Sequence, residues 1–443
     1  MAAAVMVEAG RAEQELSELM GRLGVHFARV EPFAQAGKYV RGLMSDLPRK
    51  NCWTLAEYAG DATPDRMQRL LERACWDTMA AMGAIRDFVA GHLACDDGGA
   101  VLVLDESGDQ KTCTATCGVK RQYVGCAGKV ANAVNFVNAT YRTPRGHALI
   151  GSRLYIPAEQ LADDDRRAAT GVDADHEFKT KPQLGSDLLT DALDAGIRVD
   201  WCTADAVYGR DRGLRETCEQ RGVGYSLGVP CSFRIRLACG TVLRADATIA
   251  MLPTRAWQVA SCGPGSKGER RYAFAWLGTA SDRHFLLIRR SLTKPSDLAY
   301  FYCYVPERTP ATLAVLAVVT GQRWTIEEDH EFGKDQFGFD ESQVRLYTPI
   351  MRHIVLVMAA LAVCAVTAAQ ARARVEPLPT PTSATQPPPA DLGLIPLTVV
   401  EIKRLFNLAT RIWRSTSHYL HWSWWRRRHQ ARARWYHHRA RLT

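Results

Sequence analysis

Val101-Leu-Val-Leu-Asp105-Glu-Ser-Gly108 is the stretch on which the fold turns. Four apolar residues in a row, closed by a carboxylate and a glycine, read as a short strand buried on both faces that enters a turn at Asp105. Such a strand needs sheet neighbours covered by helices. Val199 to Ala204 repeats the pattern and again runs into a carboxylate, Asp205. Between the two, His147 to Ile156 reads as a strand stopped by Pro157, and Gln183 to Ala195 as a helix closed by Gly196. A helix from Asp211 to Arg221 and a strand from Gly224 to Val229 follow. Strand, meander, helix, strand, helix, strand is an α/β order with a mixed sheet flanked by helices.

Around this core the periodicity changes. Residues 1–95 repeat apolar positions at spacings of three and four and predict an N-terminal helical domain, for which DNA binding or dimerisation would follow from the helix pair inside it and not from the periodicity. Inside it, a short helix near Thr54 to Ala59, a Gly60-Asp61 turn and a helix from Asp65 to Met79 read as a helix-turn-helix, or as an ordinary helical pair. Thr63-Pro64-Asp65 opens the second helix with a capping hydroxyl, a proline at the first helical position and an early carboxylate. Residues 96–230 form the first part of the core, and 231–310 read as an inserted β-rich subdomain with glycine-rich turns. The helical register resumes over 311–374. Within it, Ile354 to Ala369 is apolar but shorter than the roughly 20 residues that span a bilayer, and reads as a buried helix. Residues 375–396 are a proline-rich linker, and 397–443 hold an amphipathic helix near Val399 to Ala409 and a basic, aromatic tail.

The 443 residues predict two or three units, and the net charge of +9 is concentrated at one end. Ile402 to Thr443 holds 11 Lys and Arg and no Asp or Glu, which leaves 9 − 11 = −2 for the rest. A C-terminal end of that kind suits a polyanion. Thirteen cysteines, an odd number, point to a reducing cytoplasm, and Cys113, Cys117 and Cys126 lack the CxxC pairing of a structural zinc site. In the tail, Arg426, Arg427 and Arg428 stand beside Trp424 and Trp425, which predicts phosphate tracking with stacking or docking of the helix through its tryptophans. No nucleotide-binding glycine loop appears, so no ATP requirement is expected.

Arg323-Trp-Thr-Ile-Glu327-Glu-Asp-His-Glu-Phe-Gly-Lys334 supplies the third carboxylate. On a helix, Arg323 and Lys334 fall four before and seven after Glu327, near one face, where both can grip phosphates. Three carboxylates from separate buried elements suit hard divalent cations, which activate a water or a 3′-hydroxyl and stabilise a leaving oxyanion. Each residue also has a plainer reading: Glu327 and Glu328 as a solvated helix face, Asp205 as a turn residue, Arg323 and Lys334 as ion-pair partners of Glu328 or Glu331.

The chain resembles the DDE transposases of bacterial insertion sequences, and most closely the IS701 family within the IS4-like assemblage. Asp105-Glu-Ser-Gly108 looks like the first acidic motif, Gly118 to Lys129 like the next block, and Gly146-His-Ala-Leu149 with Leu154-Tyr-Ile-Pro157 like the third strand. Ala204-Asp205-Ala-Val-Tyr-Gly-Arg-Asp211 resembles the second acidic motif, and Arg323, Glu327 and Lys334 fit the Arg-Glu-Lys signature. Two positions depart from the pattern: Thr320 stands where a tyrosine is usual, and Gly108-Asp-Gln-Lys-Thr-Cys113 replaces the usual segment after the first motif.

The resemblance implies an RNase H-like catalytic fold with a β-rich insertion before the glutamate. It further implies two Mg²⁺ ions, replaceable by Mn²⁺, on Asp105, Asp205 and Glu327, with Arg323, Lys334, Arg426, Arg427 and Arg428 on DNA phosphates. The expected partners are double-stranded DNA, as terminal inverted repeats and target, and a second copy in a paired-end homodimer, with no membrane. The expected setting is the bacterial cytoplasm, associated with the nucleoid. The expected activity is cut-and-paste strand transfer; the alternatives are a relative that binds ends without cutting, or an RNase H-like nuclease without strand transfer.

Overall fold

The computed structural model describes residues 2–96, 98–124, 128–265, 268–307, 309–375, 379, 382–383 and 385–442. The chain divides into two compact units, one built from Met1–Ile85 with Phe332–Thr443, the other from Arg86–Glu331. In chain order the helices α1 (Ala2–Gly24), α2 (Val30–Leu43), α3 (Cys52–Ala59), α4 (Asp65–Glu72) and α5 (Thr78–Leu93) come first. There follow β1 (Val101–Gln110), β2 (Lys120–Val124), β3 (Lys129–Thr143), β4 (Gly146–Tyr155), α6 (Ala158–Leu161), α7 (Asp164–Ala169) and α8 (Lys181–Asp194). Next are β5 (Trp201–Ala204), α9 (Ala206–Gly209), α10 (Arg212–Gln220), β6 (Gly224–Val229), β7 (Arg234–Arg236) and β8 (Val242–Arg244). The chain closes with β9 (Gln258–Gly265), β10 (Gly268–Gly278), β11 (His284–Arg290), β12 (Leu298–Tyr304), α11 (Leu313–Gly321), α12 (Trp324–Phe337), α13 (Tyr347–Arg372), α14 (Val399–Ala409) and α15 (Thr416–Arg439).

In the first unit α13 is the hub. It is 26 residues long, buried along nearly its whole length, and packed against α1, α2, α4 and α14. Its length and apolarity match a membrane span, but 94% of its most apolar window is buried inside the protein. The sequence reading of 16 residues fell short because Tyr347–His353 adds a first turn and more, with Arg352 donating to the carbonyls of Leu71 and Trp76. Helix α3 starts with a capping box, the Asn51 side chain accepting from Trp53 and Thr54 and Thr54 returning a bond to Asn51. It stops at Gly60, whose φ of 82° is one that L side chains rarely adopt.

The helix read as Asp65 to Met79 is two helices. Trp76 forms a β-bridge with Phe27 and stacks on its ring, and Asp77 accepts from the Met79 and Ala80 amides, so a new helix begins there. Thr63 does not cap α4 either, since its hydroxyl bonds to the Asp65 carboxylate and Pro64 occupies the cap position.

The second unit is a mixed sheet flanked by helices, with strand order β2-β3-β1-β5-β6-β12-β11-β10-β9 and β4 paired to β3. β1, β5 and β6 are parallel, which requires burial on both faces, and Val101–Leu104 and Trp201–Ala204 are buried throughout. Helix α8 packs on β3 and β4, and α11 on β5, β6, β9 and β10. Residues 231–310 do not stand apart as a subdomain. β12 pairs antiparallel with β6, and β11, β10 and β9 extend the same sheet, leaving β7 and β8 as a separate two-stranded ribbon.

The turn expected at Asp105 is also absent. β1 runs on to Gln110 because β3 offers antiparallel partners as far as Ala133, whereas its parallel neighbour β5 stops at Ala204. Asp105 therefore lies at the point where one side of the central strand loses its neighbour. That geometry, the carboxyl ends of parallel strands beside a break in the sheet, is where α/β folds open a crevice.

Candidate active site

Asp105 follows Leu104 and Asp205 follows Ala204, and those two residues are register partners on adjacent parallel strands. Asp205 caps α9, its Oδ1 accepting from the Val207 amide at 2.8 Å. Close approach of α9 to β6 requires glycine at 209, where a Cβ would lie 1.9 Å from the Gly228 carbonyl oxygen. Glu327 arrives on α12, and Arg323 just before that helix joins the set: its guanidinium donates to Asp105 Oδ2 at 3.2 Å and to Glu327 Oε1. The fold thus gathers Asp105, Asp205, Arg323 and Glu327, which the plainer readings would have scattered over a turn and a solvated face.

Electrostatics show the crowding. Burial pushes the Asp105 carboxyl up to about 7, with Asp205 and Glu106 adding to the rise and Arg323 and the Glu106 amide opposing it. The Asp205 carboxyl is likewise raised, first by burial and then by the charge of Glu106. Asp105 and Glu327 share the Arg323 guanidinium while Asp205 and Glu106 act on Asp105 through space, so the site holds more carboxylates than that one cation neutralises. A hard divalent cation coordinated by oxygen supplies the missing positive charge, so the residues present fit such an ion.

The cluster opens on a cleft of about 1070 Å³, lined by Asp205, Arg323, Trp324 and Glu328 together with Arg270 and Arg289. Arg289 lies 4.5 Å from the centre of the Tyr272 ring. Thr320, at the position of the usual tyrosine, is buried in α11, its hydroxyl within 2.7 Å of both the Leu316 carbonyl and Ser226 Oγ.

Other expected contacts are placed elsewhere. Lys334 lies further along α12, in the other unit, with no ion-pair partner among the described residues. Arg426 is ion-paired with Glu57, while Arg428 lies over the Trp424 ring and Arg427 has no carboxylate partner among the described residues. The tail docks by its tryptophans: Trp422 is fully buried and donates to the Asp61 carbonyl at 2.9 Å, and Trp425 meets Trp53 edge to face. Cys126 lies outside the described residues, and Cys117 is buried beside Gln160.

Sequence reasoning missed the supports of α12. Asp329, 1% exposed, accepts from Thr140 Oγ1 at 2.7 Å and pairs with His147 Nδ1 at 3.0 Å. The other ring nitrogen of His147 faces Glu328 Oε2 at 3.2 Å, and His330 meets Asn138 at 3.0 Å. Glu106 is held by Lys181 at 2.6 Å and by Tyr208 at 3.2 Å. The available signal was the run Glu327-Glu-Asp329, three acids where a solvated helix face alternates charge with neutral residues.

Burial disfavours a charged His147 ring, but Asp329 and Glu328 outweigh it and hold the imidazole up at about 9, against an ordinary 6.5. A raised folded-state value means stability that is complete below pH 6.5 and lost as pH rises through about 9. Replacing His147 with Gln should therefore lower stability at pH 6 by on the order of 2 kcal/mol, and the gap to wild type should narrow by pH 10. Denaturant unfolding at the two pH values measures this, and an equal gap at both would remove the ion pairs as its cause.

A family model described as DDE superfamily endonuclease matches residues 22–248, just over half of the chain. A second, described as transposase DDE domain, matches residues 176–363. The chain belongs to the DDE superfamily of endonucleases. Among curated proteins it is similar to the probable transposase for insertion sequence element IS701 of Microchaete diplosiphon, with 27% identity over 177 residues. That match covers 40% of this chain and 43% of the relative.

Proposed function

We propose that this chain cuts DNA at the terminal inverted repeats of an insertion sequence and joins the freed 3′-hydroxyls to target DNA. The observation that carries the reading is the meeting of Asp105, Asp205 and Glu327 around Arg323 at the carboxyl end of parallel strands. The sheet order around β1, with β3 antiparallel on one side and β5 and β6 parallel on the other, supports an RNase H-like catalytic fold.

Asp105, Asp205 and Glu327 would hold Mg²⁺, as two ions, with Mn²⁺ able to substitute. The metal, when bound, would supply the charge that activates a hydroxyl and stabilises the leaving oxyanion. Arg323, drawn from its carboxylate partners, would grip a phosphate with its planar fork. Lys334, on the helix that carries Glu327, would add a point charge, and Arg427 and Arg428 would track the backbone of bound DNA. The cleft beside Asp205, with its arginines and aromatic rings, has the chemistry to lodge a strand next to the acids. A paired-end homodimer in the bacterial cytoplasm, without ATP, completes the proposal.

The test is an assay of labelled duplexes carrying the inverted repeats that flank the gene, with Mg²⁺ or Mn²⁺ and with EDTA. Metal-dependent nicking at the ends, followed by joining of pre-cut ends to a target plasmid, is the expected result. End binding without nicking in either metal would make the chain a noncatalytic DNA-binding relative. Nicking without joining would make it a nuclease.

A further inference from the structure

We propose that the helical unit carries a second, noncatalytic phosphate-binding cleft, formed by Arg29, Arg66, Arg69 and Arg73, that takes the backbone of duplex DNA. These four line a concavity of about 610 Å³ whose wall also includes Glu31 and Gln35. α4 buries Met67, Leu70 and Leu71 and turns Arg66, Arg69 and Arg73 outward. Spacings of three and four put those three guanidinium groups on one helix face. At 1.5 Å per residue the row is about 10 Å long. A DNA strand offers one phosphate per roughly 3.4 Å of axis, so the row matches about three of them. Arg29, at the start of α2, belongs to a different element and adds a fourth charge to the same concavity.

What sets the four apart is that arginines unpaired among the described residues are gathered in one concavity. Arg11, Arg22, Arg41, Arg374 and Arg426 each pair with a glutamate. Among the described residues, none of the four cleft arginines has a carboxylate within ion-pair distance, and Glu31 is the one acid in the lining. Like charges three and four residues apart repel, and a polyanion laid along the row would offset that repulsion. The wall behind them is rigid, because Gln35 is buried and bonded to Asp61 at 2.6 Å and to Met67. The lining holds no aromatic ring to stack a base, which favours a duplex backbone over a single strand or a free nucleotide.

This inference rests on the reading of the chain as a DNA-acting protein, and one titration separates the two. Fluorescence anisotropy of the full chain would be measured on a labelled inverted-repeat duplex and on an unrelated duplex, across a range of salt. The triple variant Arg66→Gln/Arg69→Gln/Arg73→Gln should bind both duplexes at least about ten-fold more weakly, with the salt slope reduced by about three, and Arg69→Gln alone should reduce it by about one. A charge-matched control, Arg212→Gln/Arg221→Gln/Arg244→Gln, removes three arginines already paired to carboxylates and should keep wild-type binding. If the wild type binds duplex and the triple variant matches the control, the cleft is overturned and the function stands. A wild type that binds no duplex overturns both.

Discussion

Asp105→Asn is expected to lower metal-dependent end cleavage by about three orders of magnitude, a loss of roughly 4 kcal/mol of transition-state stabilisation, while duplex binding is retained. The amide keeps the size of the carboxyl and removes the anionic ligand. Because burial already disfavours a charge at Asp105, the variant should melt no lower than the wild type. That pairing of results distinguishes a lost ligand from a lost fold. Cleavage would be followed on labelled ends and melting by circular dichroism. An Asp105→Asn protein that cuts at the wild-type rate would end the metal-ligand assignment. Asp205→Asn should behave alike, since the two positions succeed one register pair of β1 and β5.

The second large effect is expected far from the acids. Trp422→Ala removes the one fully buried aromatic of α15 and its bond to the Asp61 carbonyl. Truncating a buried tryptophan costs about 3–5 kcal/mol. Here the cost falls on the docking of a terminal helix, because α15 buries little else. Other ties are the Arg426–Glu57 pair, the His418 and His421 bonds to the Glu57 and Ala62 carbonyls, the Trp53 contacts with Trp425 and His429 and, just before the helix, the Arg414 bond to the Tyr58 carbonyl. They are too exposed to hold the helix alone. Trypsin should then cleave the arginine-rich segment beyond Ser415 much faster, with the remainder of the chain still resistant. An unchanged digestion pattern would show that the tryptophan does not anchor the tail.

What the sequence made legible was whatever depends on local pattern. α14 spans the Val399–Ala409 stretch read from amphipathic spacing, and α8, Lys181–Asp194, covers nearly all of the Gln183 to Ala195 stretch read as a helix. The apolar runs at Val101 and Trp201 became β1 and β5, and so the positions of Asp105 and Asp205 followed. What stayed hidden depends on partners distant in sequence. Nothing near Asp105 announces that β3 will carry β1 on for five more residues, because strand length is set by the neighbour. Nothing in residues 231–310 announces that β12 will choose β6 over a sheet of its own. The His147–Asp329 pair joins residues 182 apart, so the acidic run at Glu327 to Asp329 could hint at buried work but could not name its partner. At Trp76 a bridge to Phe27 overrode a helical pattern that local propensity would have continued.

The division of the chain has a consequence for how the protein is made. The unit holding the arginine cleft and the docked tail is assembled from both sides of the 86–331 unit, so it lacks α13, α14 and α15 until the whole of that unit has been translated. α1, α2 and α4 are made before that unit yet bury their apolar faces on helices made after it, and must wait with those faces uncovered. The carboxylate-bearing unit has no such delay, since all its strands are contiguous in the message. A stop codon just after α12 would leave every residue of the 86–331 unit in the chain, its acids included, while removing α13, α14 and α15 from the helical unit.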